Sequence, residues 1–424
     1  MNPMNDSEKK KKIAAIKGTK DILPDEIGKW QRVEATAAGI FQRYGYKEIR
    51  SPVFEATELY QKGTGESSDI VQKEMYTFID KGGRSVTLRP EYTPSVARAI
   101  IEHSLHLKPE PLRFYFIGPM FRYDKPQKGR YRQFHQIDIE VFAEKDPAVD
   151  AEIVEMADRL LINLGVTEYE ILINSVGCPK CRPDYNVSLR EKALESEQEL
   201  CPDCRRKIYT NPLRIFDCKL ESCRAISLGF PKITEFLCNE CELHFQRFCH
   251  YLESYGIEYR IEPRLVRGLD YYTKTTFEFI TKKLGAQDSI LGGGRYDNMM
   301  QEFGGPDVSG TGFAVGMERL LSVVPDREKK DTFIYVAYIG EEAKIRAMML
   351  ARFLRSHEIS CLLEYKDQSL KKQMGRSSRL NASWTLIIGE EEVKKEKYQF
   401  KEMESGQQYE VTQEDILSLI RKPD

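Results

Sequence analysis

Across 26–45 the apolar positions Ile27, Trp30, Val33, Ala37, Ile40, Phe41 and Tyr44 recur at three- and four-residue steps, which predicts an amphipathic helix closed by a glycine. The pattern then changes period. "YKEIRSPVFE" is extended, with Pro52 at a strand edge or bend. "EMYTFID" and "SVTLRP" predict a hairpin around Lys81, Gly82 and Gly83, and "PLRFYFIGPMFRY" predicts a longer strand. Consecutive strands with few helices between them argue for an antiparallel sheet and against a parallel, doubly wound nucleotide fold. Helical spacing returns over 149–164. After a cysteine-bearing stretch, "FEFI", "SILGGGRYD" and "TGFAVGMERLLSVV" predict strand, strand, and strand running into helix. The sheet is therefore expected to be interrupted by an insertion. The segment 322–332, "SVVPDREKKDT", has the polar, mixed-charge character of a linker. Beyond it "FIYVAYI", a helix over 341–356, "SCLLEY", a helix over 368–380 and "WTLIIG" alternate as in a small α/β domain with a mixed sheet. No repeat is evident.

The 424 residues exceed one compact core and suggest two or three domains at about 100–200 residues each. With 64 basic and 66 acidic residues the net charge of -2 excludes a uniformly basic nucleic-acid coat, so an RNA partner would be met by local patches. No apolar run approaches the roughly 20 residues of a membrane span. "MNPMNDSEKKKKIAAIKG" has charge without the apolar core of a signal peptide, so a cytoplasmic protein is expected. The Lys9–Lys12 run has the character of a solvated tail.

Eight of the ten cysteines fall between Cys178 and Cys241, with Cys249 and Cys361 outside that cluster. A reducing cytosol argues against disulfides. "CPKC" (Cys178, Cys181) and "CPDC" (Cys201, Cys204) stand nineteen residues apart, a spacing that suits zinc. "CKLESC" (Cys218, Cys223) and "CNEC" (Cys238, Cys241) form a second set. The Pro, Asp and Asn residues between them favour turns that gather thiolates over a set of free buried thiols. At least one Zn²⁺ is expected, with the pairing of the sets open. Its role would be structural, because four thiolates leave no open position for catalysis.

The chemistry concentrates in "FRYDKPQKGRYRQFHQIDIE", 121–140, which holds five Lys or Arg in its first twelve residues. On a strand, Gln136, Asp138 and Glu140 share one face while Ile137, Ile139 and Val141 share the other. With Arg122 on the preceding strand and a basic glycine-containing loop between, such a hairpin can hold a zwitterion and a phosphate together. A solvated polar face is the bland alternative. "RLVRGLDYYTKTTFEF" presents Arg264 and Arg267 before Gly268 and two tyrosines, and guanidinium forks suit phosphate or carboxylate oxygens. "LGGGRYDNM" has neither the GxxxxGK[ST] nor the GxGxxG pattern and is expected to be a tight turn. "GMERLL" places Arg319 at a helix start after a strand.

"KGTKDILPDE", "TLRPEYTPSVAR", "GPMFRYDKPQKGRYRQFHQIDIEVF", "RLVRGLDYYT", "LGGGRYD" and "GTGFAVGMERL", in this order, resemble the histidyl-tRNA synthetase family of class II aminoacyl-tRNA synthetases. The resemblance covers most of the chain and is weakest in the cysteine region. It implies an α+β fold: a class II antiparallel-sheet catalytic domain over 1–325, interrupted by a cysteine-rich insertion over 168–252, and an α/β anticodon-binding domain over 331–424.

The resemblance further implies histidine activation by ATP and transfer to the 3′ end of histidine tRNA, with Mg²⁺ on the phosphates and a homodimer. It places Arg122 on the α-phosphate and Arg319 near the γ-phosphate. Arg267 would lie across the reacting phosphate and carboxylate. Glu91, Thr93 and Gln136 would hold the α-amino end of histidine. Glu140 and Tyr272 would bond its imidazole, and Tyr271 and Tyr296 would shape the pocket. Lys125 and Gln127, with Lys128 and Arg130 nearby, would meet the tRNA acceptor end. Tyr92 stands where many relatives carry Gly. A noncatalytic relative, the regulatory subunit of ATP phosphoribosyltransferase, is disfavoured because Arg122, Arg267, Arg319 and the C-terminal segment are all present. A zinc-bearing RNA-binding module without catalysis does not explain the ATP and histidine set. "RGLDYY" disfavours another class II specificity.

Overall fold

The structure, a computed structural model, describes residues 13–326 and 333–420 apart from 66, 67, 69, 110, 111, 127, 128, 143, 286, 287 and 367. The Lys9–Lys12 run, Gln127, Lys128 and residues 327–332 of the expected linker lie outside the described residues. The chain divides into two units, Met1–Asp326 and Arg327–Asp424.

The first unit is built on an eight-stranded sheet. Its order is Lys47–Glu48, Leu112–Phe121, Gln133–Phe142, Gly310–Gly316, Ser289–Arg295, Thr273–Ile280, Glu170–Ser175, Arg260–Ile261. The six central strands are antiparallel neighbours, and the two short outer strands pair in parallel. The expected amphipathic helix is Pro24–Arg43, with proline and two acids in its first turn, where they suit the unpaired N–H groups. It buries Trp30, Val33, Ala37, Ile40 and Phe41. Together with the helix Pro147–Asn163 it covers the sheet face formed by Ile137, Ile139, Val141, Phe277, Phe313 and Val315. The opposite face is lined by Tyr92, Phe116, Tyr271, Tyr272 and Tyr296 and covered by the helix Thr93–Glu102. The predicted hairpin joins Tyr76–Ile79 to Ser85–Leu88 in a separate three-stranded sheet. Asp80 Oδ1 closes its turn by accepting from the Gly82 and Arg84 amides at 2.8 and 2.9 Å.

The stretch 168–252 has three parts. Glu170–Ser175 is a strand of the central sheet paired with Thr273–Ile280. The helix Asn239–Ser254 contributes Phe245, Phe248 and Leu252 to the main core. Between them Tyr185, Leu189, Ala193, Ile208, Ile215, Phe230 and Ile233 form a small core of their own. A run such as "EILINS" lacks alternation because both of its faces are covered, which is why it carried no strand signal.

In the second unit the strand order is Cys361–Leu363, Ile334–Tyr338, Trp384–Ile388, Tyr398–Glu402, Gln408–Val411. The first three are parallel and the last two antiparallel. This is the mixed sheet predicted from strand–helix alternation, with helices Glu341–Ser356 and Leu370–Arg379 between the parallel strands.

Candidate active site and cysteine clusters

Register decides what the Gln133–Phe142 strand can do. Gln136 lies between Gly118 and Gly316, Asp138 between Phe116 and Ala314, and Glu140 between Phe114 and Gly312. Gln136, Asp138 and Glu140 are 9%, 3% and 3% exposed, so the solvated-face alternative does not describe this strand. They line a cavity of about 490 Å³ that also includes Glu91, Thr93, Arg122, Arg267, Tyr271, Tyr272, Tyr296 and Arg319. Every ATP and histidine residue proposed from the sequence borders this one space.

At the acidic end Glu140 accepts from the Thr93 hydroxyl at 2.5 Å and from the Tyr296 hydroxyl. Gly312 permits that contact, since a Cβ there would sit 2.6 Å from Glu140 Oε2. Glu91 accepts from the Tyr271 hydroxyl at 3.0 Å. Yet among the described residues Glu91 Oε1, Gln136 Oε1, Asp138 Oδ2 and Arg267 Nε are buried without a partner. Such orphaned groups are costly unless a ligand completes them. Burial raises Glu91 to about 7 against the opposing effects of Arg122 and Tyr271. Burial, then neighbouring carboxylates, also hold Asp138 and Glu140 well above the usual carboxylate range. A cationic, hydrogen-bond-donating ligand relieves both the burial cost and the mutual repulsion.

The other end is basic. Arg122 donates Nε to the Pro90 carbonyl at 2.8 Å and lies over the Phe134 ring. Arg267 is paired with Glu278 at 2.7 Å. Arg319 projects from the helix Met317–Val323, and burial, then the nearby Arg130 and Arg122 guanidiniums, lower its pKa. Cations left close together in a partly buried cavity suit a polyanion. "LGGGR" lies in the strand Ser289–Arg295, as the pattern of "SILGGGRYD" predicts, and not in the tight turn expected from its glycines. Its glycines serve close approach: a Cβ at Gly292 would lie within 2.6 Å of the Arg267 guanidinium.

The basic loop divides. Lys125 is exposed, whereas Arg130, paired with Asp124 at 2.7 Å, borders the cavity. Sequence reasoning missed the insertion's contribution, for Lys207, Arg214, Asp217 and Lys219 also line the cavity. Asp138 was signalled by the pleat, sharing a face with Gln136 and Glu140, but the motifs assign it no role.

The eight cysteines form two groups of four: Cys178, Cys181, Cys238 and Cys241, and, nested inside that span, Cys201, Cys204, Cys218 and Cys223. Within each group the sulfurs lie within 4.8 Å of one another, and the Cys178–Cys181, Cys178–Cys238 and Cys201–Cys218 separations are 3.6, 3.9 and 3.9 Å. Four sulfurs about 2.3 Å from a tetrahedral Zn²⁺ are about 3.8 Å apart, so both groups fit that ion. Against the burial that raises them, backbone N–H groups and neighbouring thiols bring Cys201 and Cys238 down to about 7, whereas burial and the neighbouring sulfurs push Cys204 and Cys241 up, so a full set of four thiolates calls for a cation between them.

A family model described as histidyl-tRNA synthetase matches residues 18–180 and 213–320, and one described as anticodon binding domain matches 334–423. The histidine–tRNA ligase of Halothermothrix orenii is 47% identical over 415 residues, covering 97% of this chain and 99% of its own length. That of Geobacter sulfurreducens is 46% identical over 413 residues, covering 96% and 100%. The crystal structure of apo S. aureus histidyl-tRNA synthetase superposes with a TM-score of 0.82 at 34% identity, covering 97% of this chain and all of that one.

Proposed function

The chain belongs to the histidyl-tRNA synthetase family, and from that premise we propose how its residues divide the work. It is a histidine–tRNA ligase, which joins histidine and ATP to histidyl-adenylate and pyrophosphate and then transfers the histidyl group to the 3′ end of histidine tRNA. Residues 1–325 form the catalytic domain interrupted by the insertion over 168–252, and 331–424 bind the anticodon, in keeping with the matched anticodon-binding model.

The observation that carries the assignment of roles is one cavity with orphaned acceptors at one end and arginines at the other. Glu91, Thr93 and Gln136 hold the α-ammonium of histidine. Glu140 and Tyr272 bond the imidazole, while Tyr271 and Tyr296 orient the carboxylates they touch. A side chain unable to donate to Glu140 forfeits the ligand bond to a buried carboxylate whose other donors among the described residues are the neutral Thr93 and Tyr296 hydroxyls, which supports rejection of other amino acids on the order of 10⁴ or more without an editing domain. Arg122 and Arg267 flank the α-phosphate as the histidine carboxylate attacks it, and Arg319 holds the γ-phosphate. The carboxylate oxygen bonds to phosphorus as the bond to the leaving pyrophosphate breaks. Fixed guanidiniums stabilise the charge that shifts in that displacement. Mg²⁺ arrives with ATP as a counter-ion for its phosphates. The tRNA hydroxyl then attacks the adenylate carbonyl and AMP leaves.

Lys125, with Gln127, Lys128 and Arg130, meets the acceptor end of the tRNA. Each four-cysteine group holds a structural Zn²⁺ by thiolates, which ties the insertion together and supplies no reaction step. The functional form is a cytoplasmic homodimer, consistent with Phe54, Phe78 and Ile79 left exposed on the three-stranded sheet. Among the described residues no helix is long and apolar enough to cross a membrane. Histidine-dependent exchange of pyrophosphate into ATP by the purified, folded chain with Mg²⁺ tests the assignment, and absence of exchange would overturn it. Metal analysis of protein purified without added zinc tests the insertion.

A further inference from the structure

The inner cysteine group stands directly beside a segment that grips the active-site turn. Cys218 follows the turn of helix Pro212–Asp217, and Cys201 caps the helix Pro202–Thr210 before it. From this short span Arg214 reaches across to the turn between Arg267 and Tyr271. Its Nε and Nη2 both donate to Asp270 Oδ1, at 3.0 and 2.9 Å, and Nη2 also donates to the Gly268 carbonyl at 3.0 Å. Asn211 Nδ2 donates to the same Asp270 oxygen at 3.1 Å. Arg214 is 7% exposed and the Asp270 side chain 25%, so these bonds are partly sheltered from the screening that weakens surface pairs. Asp217 and Lys219, the residues on either side of Cys218, border the cavity that holds Arg267.

We infer that Arg214 is a positioning residue for adenylation, holding the turn that carries Arg267, Tyr271 and Tyr272, and that the inner four-cysteine metal site fixes Arg214 in place. The inference rests on the metal reading above and deepens it: the inner ion sets catalytic geometry as well as insertion stability. The reason is mechanical. Leu213, Ile215 and Phe216 seat one side of the 211–219 segment in the small core, and Cys218, four positions after Arg214, ends that segment in the inner cysteine group. Four metal–thiolate bonds from two stretches of chain, 201–204 and 218–223, would fix that end as well. Arg267 must meet a developing charge within a fraction of an ångström, and a misplacement of about 1 Å costs on the order of 100-fold.

The test uses the full chain and reads metal content, thermal unfolding, and kcat and KM for pyrophosphate exchange. Arg214→Ala is expected to keep the parental metal content and lose about 10- to 100-fold in kcat, with a much smaller change in KM for histidine. Arg214→Lys, which restores a single donor, is expected to recover part of that loss. Cys223→Ser is expected to lose one metal equivalent and to show the same kcat defect. Its combination with Arg214→Ala is expected to add little, because both act through one contact. An Arg214→Ala enzyme within about twofold of the parent, or a double variant whose losses multiply, would overturn the inference. Parental protein that binds no metal would instead overturn the zinc reading, and parental protein that performs no exchange would overturn the assignment of activity. The three failures are thereby distinct.

Discussion

Two clusters of buried charge lie in the same unit, and they differ in whether each charged atom has a partner. Around Arg295 and Asp150, both 0% exposed in their side chains, the arrangement is closed. Asp150 accepts from Arg295 Nη2 at 2.8 Å, from Arg295 Nε at 3.1 Å and from the Thr275 hydroxyl at 2.8 Å, and its Oδ2 lies 2.8 Å from His244 Nε2. Arg295 spends a further donor on the Glu144 carbonyl at 2.8 Å. Around Glu91, Asp138 and Glu140 the arrangement is open, with acceptor oxygens on Glu91, Gln136 and Asp138 unpartnered among the described residues. The titration follows the difference. Burial raises Asp150, but Arg295 and His244 more than offset it and hold the carboxyl below its usual value. Burial prevails at Glu91, Asp138 and Glu140, which are raised. A closed charge cluster pins four segments of chain together, and an open one is stability withheld until a ligand arrives.

Breaking the closed cluster should have the largest effect. Arg295→Ala leaves Asp150 buried without its guanidinium partner, with His244 and Thr275 still beside it, and a loss of about 3–5 kcal/mol of unfolding free energy is expected. It would be read as a lowered urea midpoint at unchanged slope. A loss under about 1 kcal/mol, the range of exposed ion pairs, would show that the cluster is not the pin described. The open cavity should respond in activity instead. Arg267→Ala is expected to lower adenylate formation by about 10²–10³ while histidine binding changes far less. Equal losses in both would contradict a transition-state role.

Glu140→Gln sharpens the contrast further. It keeps shape while removing a charge whose burial is uncompensated, so folding stability at neutral pH should hold or rise. Histidine loses a charge-assisted acceptor worth about 1.5–3 kcal/mol, which raises its KM roughly 10- to 100-fold. A variant that unfolds more readily than the parent would place Glu140 with the closed cluster.

The difference between the clusters also governs what could be foreseen. The face of Gln136, Asp138 and Glu140 follows from strand period alone, and the arginines from their motifs, because a ligand-facing polar residue breaks an otherwise apolar pattern. Arg295 sat in a recognised motif and Asp150 in a recognised helix. Nothing local joins them, since 145 positions separate the pair. The reach of Arg214 to Asp270, 56 positions apart, was hidden for the same reason. The cysteine spacings announced tetrahedral sites but left their pairing open. Nesting is settled by which turns the small core of Tyr185, Ile208 and Ile233 brings together, a tertiary fact with no signature in spacing. "LGGGR" carried two conflicting signals, because its glycines suggest a turn; the strand reading holds, and Gly292 makes room for Arg267.

The smallest expected effect is the one that sets the two clusters against each other most directly, because their stability should depend on pH with opposite sign. Glu91 is raised from 4.5 to about 7, so the folded state holds its proton more tightly than the unfolded chain does. Its contribution to stability is fully present below about 4.5 and is lost as pH rises through about 7. Asp150 is lowered, so its contribution is present above the ordinary aspartate value and is lost as pH falls below it. Histidine binding should run against the Glu91 trend. The ammonium of the ligand needs the ionised carboxylate, whose population grows roughly tenfold between pH 6 and pH 8 for a group titrating near 7, an affinity gain of about 1.3 kcal/mol. Equilibrium binding of histidine across that range, compared between the parent and Glu91→Gln, isolates the effect, because the imidazole titration of histidine itself is common to both. The parent should lose an inflection near pH 7 on substitution, with overall affinity reduced. An unchanged profile would mean that Glu91 is already ionised in the empty cavity, and that the open cluster is closed by a partner other than the substrate.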